Sequence, residues 1–113
     1  MSPIFIISFG VGITMIAFGI NQLSKPGNWL GYLPPWFTKM SPMKPETSMR
    51  IHAVGNILFG LFLIFPLYPV VAAWIALIWW ITILPFAFRY NWAIGMRDLS
   101  IVFALIALVV LVS

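Results

Sequence analysis

The chain contains no cysteine. That excludes disulfides, thiolate metal sites and Cys-x-x-Cys redox chemistry within it. Charge is almost as scarce: only 7% of the 113 residues are Asp, Glu, Lys or Arg, with two acids against six bases. A soluble domain of this length carries about 25% charged residues, needed to cover its surface. Here 63% of residues are apolar, so lipid has to be the solvent for most of the exterior. A single histidine and two acids are too few for a metal site, which needs several His, Cys or carboxylate ligands. Haem held by two histidines is excluded within one chain for the same reason. There is no Gly-rich phosphate loop. No Ser or Thr sits with a base and acid suited to nucleophilic catalysis. The residues therefore predict no catalytic group, no metal and no cofactor of the chain's own. The net charge of +4 is too thin and too scattered between apolar runs for nucleic acid.

What is present is a series of long apolar runs. Ile4 to Ile20 carries no charge, and with its flanks it reaches the ~20 residues that a membrane span needs. Pro3 suits a helix start, where its missing N–H would be unpaired anyway. No Lys or Arg precedes Ile4, and no small-x-small cleavage site lies near Gln22, so this run reads as a retained span. Pro45 and Glu46 open a second helix, with Glu46 and Arg50 in the favourable acid-first spacing. Pro66 and Pro69 break the chain before a third run, in which Pro85 is expected to kink or fray the last turn. The fourth run starts near Ala93, or at Asp98 if that residue caps a shorter helix. The expectation is an all-α, integral membrane four-helix bundle. It forms one domain over 1–113, with spans near 3–21, 45–65, 70–88 and 93–112.

The long connection, 22–44, mixes Lys25, Lys39 and Lys44 with Trp29, Tyr32, Trp36 and Phe37. Aromatic rings beside lysines mark the headgroup layer. Trp29, Tyr32, Trp36 and Trp92 are therefore expected as interfacial anchors, with a short helix after Pro35. All six Lys and Arg fall in or beside the first and third loops, and none at the termini or the 66–69 turn. The positive-inside rule then predicts a multi-pass protein of the cell membrane with both termini outside the cytoplasm.

Polar groups within the spans are where function would lie. His52, Asn56 and Gly60 recur every four residues and share a helix face, with Leu58 and Phe62 expected on the other side. Asn21, Gln22, Arg50, Arg97 and Asp98 lie toward the same membrane boundary, so one shallow polar cavity can contain them all. The routine reading is interhelical glue; the functional one is a ligand or proton site. Small residues point to packing. Gly10, Thr14 and Ala17 form one line, Ser8 and Gly12 a second, and Ser100 and Ala104 a third, while Gly60 permits close approach on the second span; such lines let backbones approach within the bundle or in a homodimer. The tryptophans of the third span read as lipid-facing or packed anchors.

Three segments give the chain a resemblance to a known family. They are Phe18-Gly19-Ile20-Asn21-Gln22 followed by Pro26 and Trp29, then Gly55-Asn56-Ile57-Leu58-Phe59-Gly60-Leu61, then Gly95-Met96-Arg97-Asp98-Leu99. In these and in its layout it resembles the DoxX-like family of small four-helix membrane proteins. The family takes its name from a subunit associated with thiosulfate:quinone oxidoreductase, and relatives are linked to redox stress complexes or receptor assembly. Many members carry an acid in the second span, where this chain has Asn56. The resemblance implies a non-catalytic helper, scaffold or subunit that binds a partner protein or a lipid-like molecule. Two alternatives stay open: a membrane subunit of a quinone-linked oxidoreductase, and a small transporter or channel. The small multidrug transporters match in length, but their first-span Glu has no counterpart in Ile4 to Ile20. Membrane lipid, a quinone, a second copy or a membrane-complex partner all fit as companions.

Overall fold

The computed structural model describes residues 2–113. The single domain expected over 1–113 thus includes Met1, which lies outside the described residues. The fold is all-α. Helix α1 spans Pro3–Ser24, a 3₁₀ helix spans Pro26–Tyr32, and α2 spans Pro35–Met40. Helices α3 (Pro45–Ile64), α4 (Pro69–Tyr90) and α5 (Trp92–Val112) follow. Helices α1, α3, α4 and α5 are each long and apolar enough to cross a membrane, and the chain is a multi-pass membrane protein.

Local chemistry sets the helix ends. The Ser2 hydroxyl accepts from the Phe5 N–H at 3.1 Å, and Pro3 follows as the first helical residue. Proline takes the same first position in α2, α3 and α4. Helix α5 starts at Trp92, in line with the start near Ala93 rather than at Asp98. Asn91 is its cap, accepting from Ala93 N–H at 2.8 Å and Ile94 N–H at 3.3 Å. Asp98 is therefore not a cap; it sits inside the helix. Pro85 does not end α4, which runs on to Tyr90.

The densest helix contacts pair α1 with α3 and α4 with α5. Helix α1 buries Val11, Gly12, Met15, Gly19 and Gln22, and α3 buries Met49, Ala53, Asn56, Gly60 and Leu63. A Cβ on Gly12 would stand 2.7 Å from the Gly60 carbonyl, and one on Gly60 would stand 2.7 Å from the Gly12 carbonyl. The two backbones touch because neither has a side chain there. Gly19 repeats the contact against the Ala53 carbonyl, 2.7 Å from its would-be Cβ.

Within the single chain, this corrects which of the expected lines pack on another helix. A Cβ on Gly10 would meet nothing within 4 Å, and Ala17 is exposed. Thr14 is half-buried and spends its hydroxyl on the Gly10 carbonyl at 2.9 Å. Ser8, half-buried, and Gly12 lie on the packed face, and that line continues to Gly19. Ser100 is exposed and bonds back to the Arg97 carbonyl at 2.5 Å, while Ala104 packs against the core. Leu58 is exposed as expected, but Phe62 packs against the core. That core is close-packed at the end holding the α1 N-terminus, with Met15, Leu63, Leu105 and Leu108 fully buried.

Candidate functional site

At the opposite end the helices line a partly open cavity of about 210 Å³. Phe18 and Gln22 of α1 line it, with Met49, His52 and Asn56 of α3. Trp79, Trp80, Ile83 and Phe86 of α4 and Arg97 and Asp98 of α5 complete the walls. Trp29, Tyr32 and Leu33, from the 3₁₀ helix and the residue after it, form the roof.

The polar centre is Asn56, 2% exposed. Its Nδ2 donates to Gln22 Oε1 at 2.8 Å, and its Oδ1 accepts from Trp79 Nε1 at 2.6 Å. One amide thus ties α1, α3 and α4 together. A buried amide needs such partners, since hydrocarbon offers none. His52 is half-buried and stacks on Trp79, with ring centroids 4.7 Å apart and planes 10° from parallel. Asp98, 2% exposed, accepts from Arg97 Nε at 3.0 Å. The Arg97 guanidinium lies 5.0 Å over the Phe18 ring, a cation–π arrangement.

The roof is aromatic. Trp29 and Tyr32 stack at 5.4 Å, and Tyr32 stacks on Tyr90 of α4 at 4.6 Å. Trp29 Nε1 donates to Asn21 Oδ1 at 2.7 Å, pinning the roof to α1. Burial pushes the Tyr32 phenol up from its ordinary value of 10.0, against the nearby Arg97 cation, which lowers it.

Of the residues the sequence grouped, the cavity brings together His52, Asn56, Gln22, Arg97 and Asp98. Arg50 is exposed and outside it. Asn21 is exposed too, and acts only by holding Trp29. Trp29 and Tyr32 are half-buried and line the cavity. Trp36, 57% exposed, and Trp92, 72% exposed, keep the exposure an anchor needs. The sequence reading missed Phe18, Trp79, Trp80 and Ser48. Trp79 carried a usable signal, because a buried Asn in a span needs a donor and an indole N–H is one.

Two buried donors at this cavity lack a protein partner: Trp80 Nε1 and Ser48 Oγ. Among the described residues no three His, Asp or Glu side chains converge to hold a metal. The arrangement is a binding site in character, with aromatic walls and a few fixed hydrogen-bonding groups.

Fold and site define an all-α, multi-pass membrane bundle with a roofed, mainly aromatic cavity at one end. No family model, curated protein or solved structure matches the chain.

Proposed function

We propose that this chain is a DoxX-like, non-catalytic membrane helper that holds a lipid-like molecule in the roofed cavity and works beside a partner protein. The cavity carries this reading: about 210 Å³ is too large for a packing defect and suits part of a small molecule, since ~150 Å³ already accepts benzene. By its basic loops, the cavity opens toward the cytoplasm and both termini lie outside it. A reporter fused to Ser113 is expected to give a non-cytoplasmic signal; a cytoplasmic one overturns the orientation.

Asn56→Leu tests the site. The change leaves Gln22 and Trp79 without their shared partner, which should cost about 1 kcal/mol. The fold survives a loss of that size, while molecules that co-purify with the wild type should be gone from native mass spectra in mild detergent. The same molecules in equal amount on both proteins would mean that the cavity is not where they bind. A second reading, a membrane subunit of a quinone-linked oxidoreductase, draws on the flat indole walls of Trp79 and Trp80. It requires the co-purifying molecule to be a quinone.

A further inference from the structure

All the charged side chains of the protein sit at the cavity end of the bundle, six basic against two acidic. They fall in two stretches, Lys25 to Arg50 and Arg89 to Asp98. The closed end, around Met15 and Leu108, has none. A field of that sign favours an anion at the cavity mouth and disfavours a cation.

Of these bases only Arg97 lines the cavity. One face of its guanidinium lies 5.0 Å over the Phe18 ring, and Nε donates to Asp98 Oδ1 at 3.0 Å. That bond uses one edge of a planar fork whose terminal nitrogens carry the remaining donors. The Arg97 side chain is 45% exposed and that of Asp98 only 3%. An entering molecule therefore meets the base and not the acid. A guanidinium edge of this kind takes a carboxylate or phosphate through two parallel hydrogen bonds.

The rest of the lining has the opposite character. Met49, Trp79, Ile83 and Phe86 present apolar surface beside the base. A molecule that suits both parts has an oxyanion head and a hydrocarbon tail. The volume of about 210 Å³, set against the ~150 Å³ that takes one benzene ring, leaves room for one chain and not two.

We propose that the cavity seats a single-chain anionic amphiphile, with its carboxylate or phosphate on the terminal nitrogens of Arg97 and its tail against the rings of α4. This rests on reading the cavity as a ligand site.

Decyl phosphate, decanol and decyltrimethylammonium share one chain and differ in head charge. Each is titrated into the protein in phosphatidylcholine nanodiscs and followed by tryptophan fluorescence, so that partitioning into the bilayer cancels between variants. Decyl phosphate should bind tightest and decyltrimethylammonium weakest. Arg97→Gln should weaken decyl phosphate about tenfold or more, the worth of hydrogen bonds to a charged group, and leave decanol unchanged. Lys44→Gln removes the same charge from the same end, but Lys44 does not line the cavity. It should change decyl phosphate by about twofold or less, because salt screens a distant exposed charge. Asp98→Asn frees Arg97 from its counter-charge and should tighten decyl phosphate. If Arg97→Gln fails to fold because it strands Asp98, the double change Arg97→Gln with Asp98→Asn strands no charge and should show the same loss.

Equal losses from Arg97→Gln and Lys44→Gln overturn the site in favour of a diffuse basic surface. Decanol binding as tightly as decyl phosphate overturns it in favour of a simple apolar pocket. Tightest binding of decyltrimethylammonium overturns it in favour of an aromatic cage with Asp98. Inorganic phosphate competing as well as decyl phosphate overturns the tail, and didecanoyl phosphatidylglycerol doing so overturns the single chain. The native mass spectra of Asn56→Leu decide separately whether the cavity holds any molecule at all.

Discussion

Helix α4 is two different surfaces on one rod. Its first half turns Ala72, Ala73 and Ala76 into the bundle, all buried. Its second half turns Trp79, Trp80, Ile83 and Phe86 toward the same side. Opposite the alanines the core closes over Met15, Leu63, Leu105 and Leu108. Opposite the indoles there is a cavity. The seam between α1 and α3 stays tight at both levels, through Gly12 with Gly60 and through Gly19 with Ala53. The hollow therefore lies between that pair and the α4–α5 pair. Small side chains let backbones approach until no gap is left. Large rings at the second level hold the helices further apart and leave space beside them. Cavity and core thus arise from one change in residue size along one helix.

The seam is the part that both ends depend on, so breaking it should have the largest effect. Gly60→Val would drive a branched side chain into the Gly12 carbonyl. We expect a loss of about 3 kcal/mol or more, at the upper end of the cost of overpacking, in chemical unfolding in detergent. Gly10→Ala, two residues from Gly12 but facing open space, should stay within about 0.5 kcal/mol of wild type or gain slightly. An equal loss at both positions would show that the seam is not where the structure places it.

Volume added to α4 should next separate its two halves. Ala76→Leu overfills the closed end and should cost about 1–3 kcal/mol. Ile83→Trp grows into existing space, should cost under about 1 kcal/mol, and should expel any bound molecule. Similar destabilisation by both would abolish the contrast.

The smallest effect belongs to the roof. Burial raises the Tyr32 phenol above its ordinary 10.0, so the folded state holds that proton longer than the unfolded chain does. Stability should be flat below the ordinary value and fall as pH rises through it. Tyr32→Phe should remove that part of the slope. Thermal unfolding of both proteins between about pH 8 and about pH 11, a range spanning an ordinary tyrosine, checks it.

The spans were legible because hydrocarbon imposes a length and forbids charge, and few other sequences satisfy both. Ile4 to Ile20 is read this way with no knowledge of its neighbours. Which face of a span turns inward was much harder to read. In water the two faces of a helix differ in polarity; in lipid both are apolar, and only small or polar residues mark the inside. His52, Asn56 and Gly60 carried such marks. The choice between Gly10-Thr14-Ala17 and Ser8-Gly12 did not, because both are lines of small residues. Only the position of Gly60 on another helix distinguishes them. Phe62 was misplaced for the same reason: Phe is equally at home against lipid and against Leu63. The place of Trp29 and Tyr32 in the cavity lining was hidden in another way. An aromatic beside a lysine serves equally as a headgroup anchor or as a cover over a cavity, and Lys25 is present in either case.

The roof also has a consequence for chain connectivity. It belongs to the link between α1 and α3, the pair held together by glycine. When those helices dock, the two ends of the link are already fixed near one another, so the entropy of closing the loop is lost at that step. Laying the 3₁₀ helix over the cavity then orders only local residues. Lifting it breaks the Trp29–Asn21 bond and the Tyr32–Tyr90 stack while every helix–helix seam stays intact. A molecule that passes by way of the roof therefore disturbs these roof contacts and leaves the glycine seam in place.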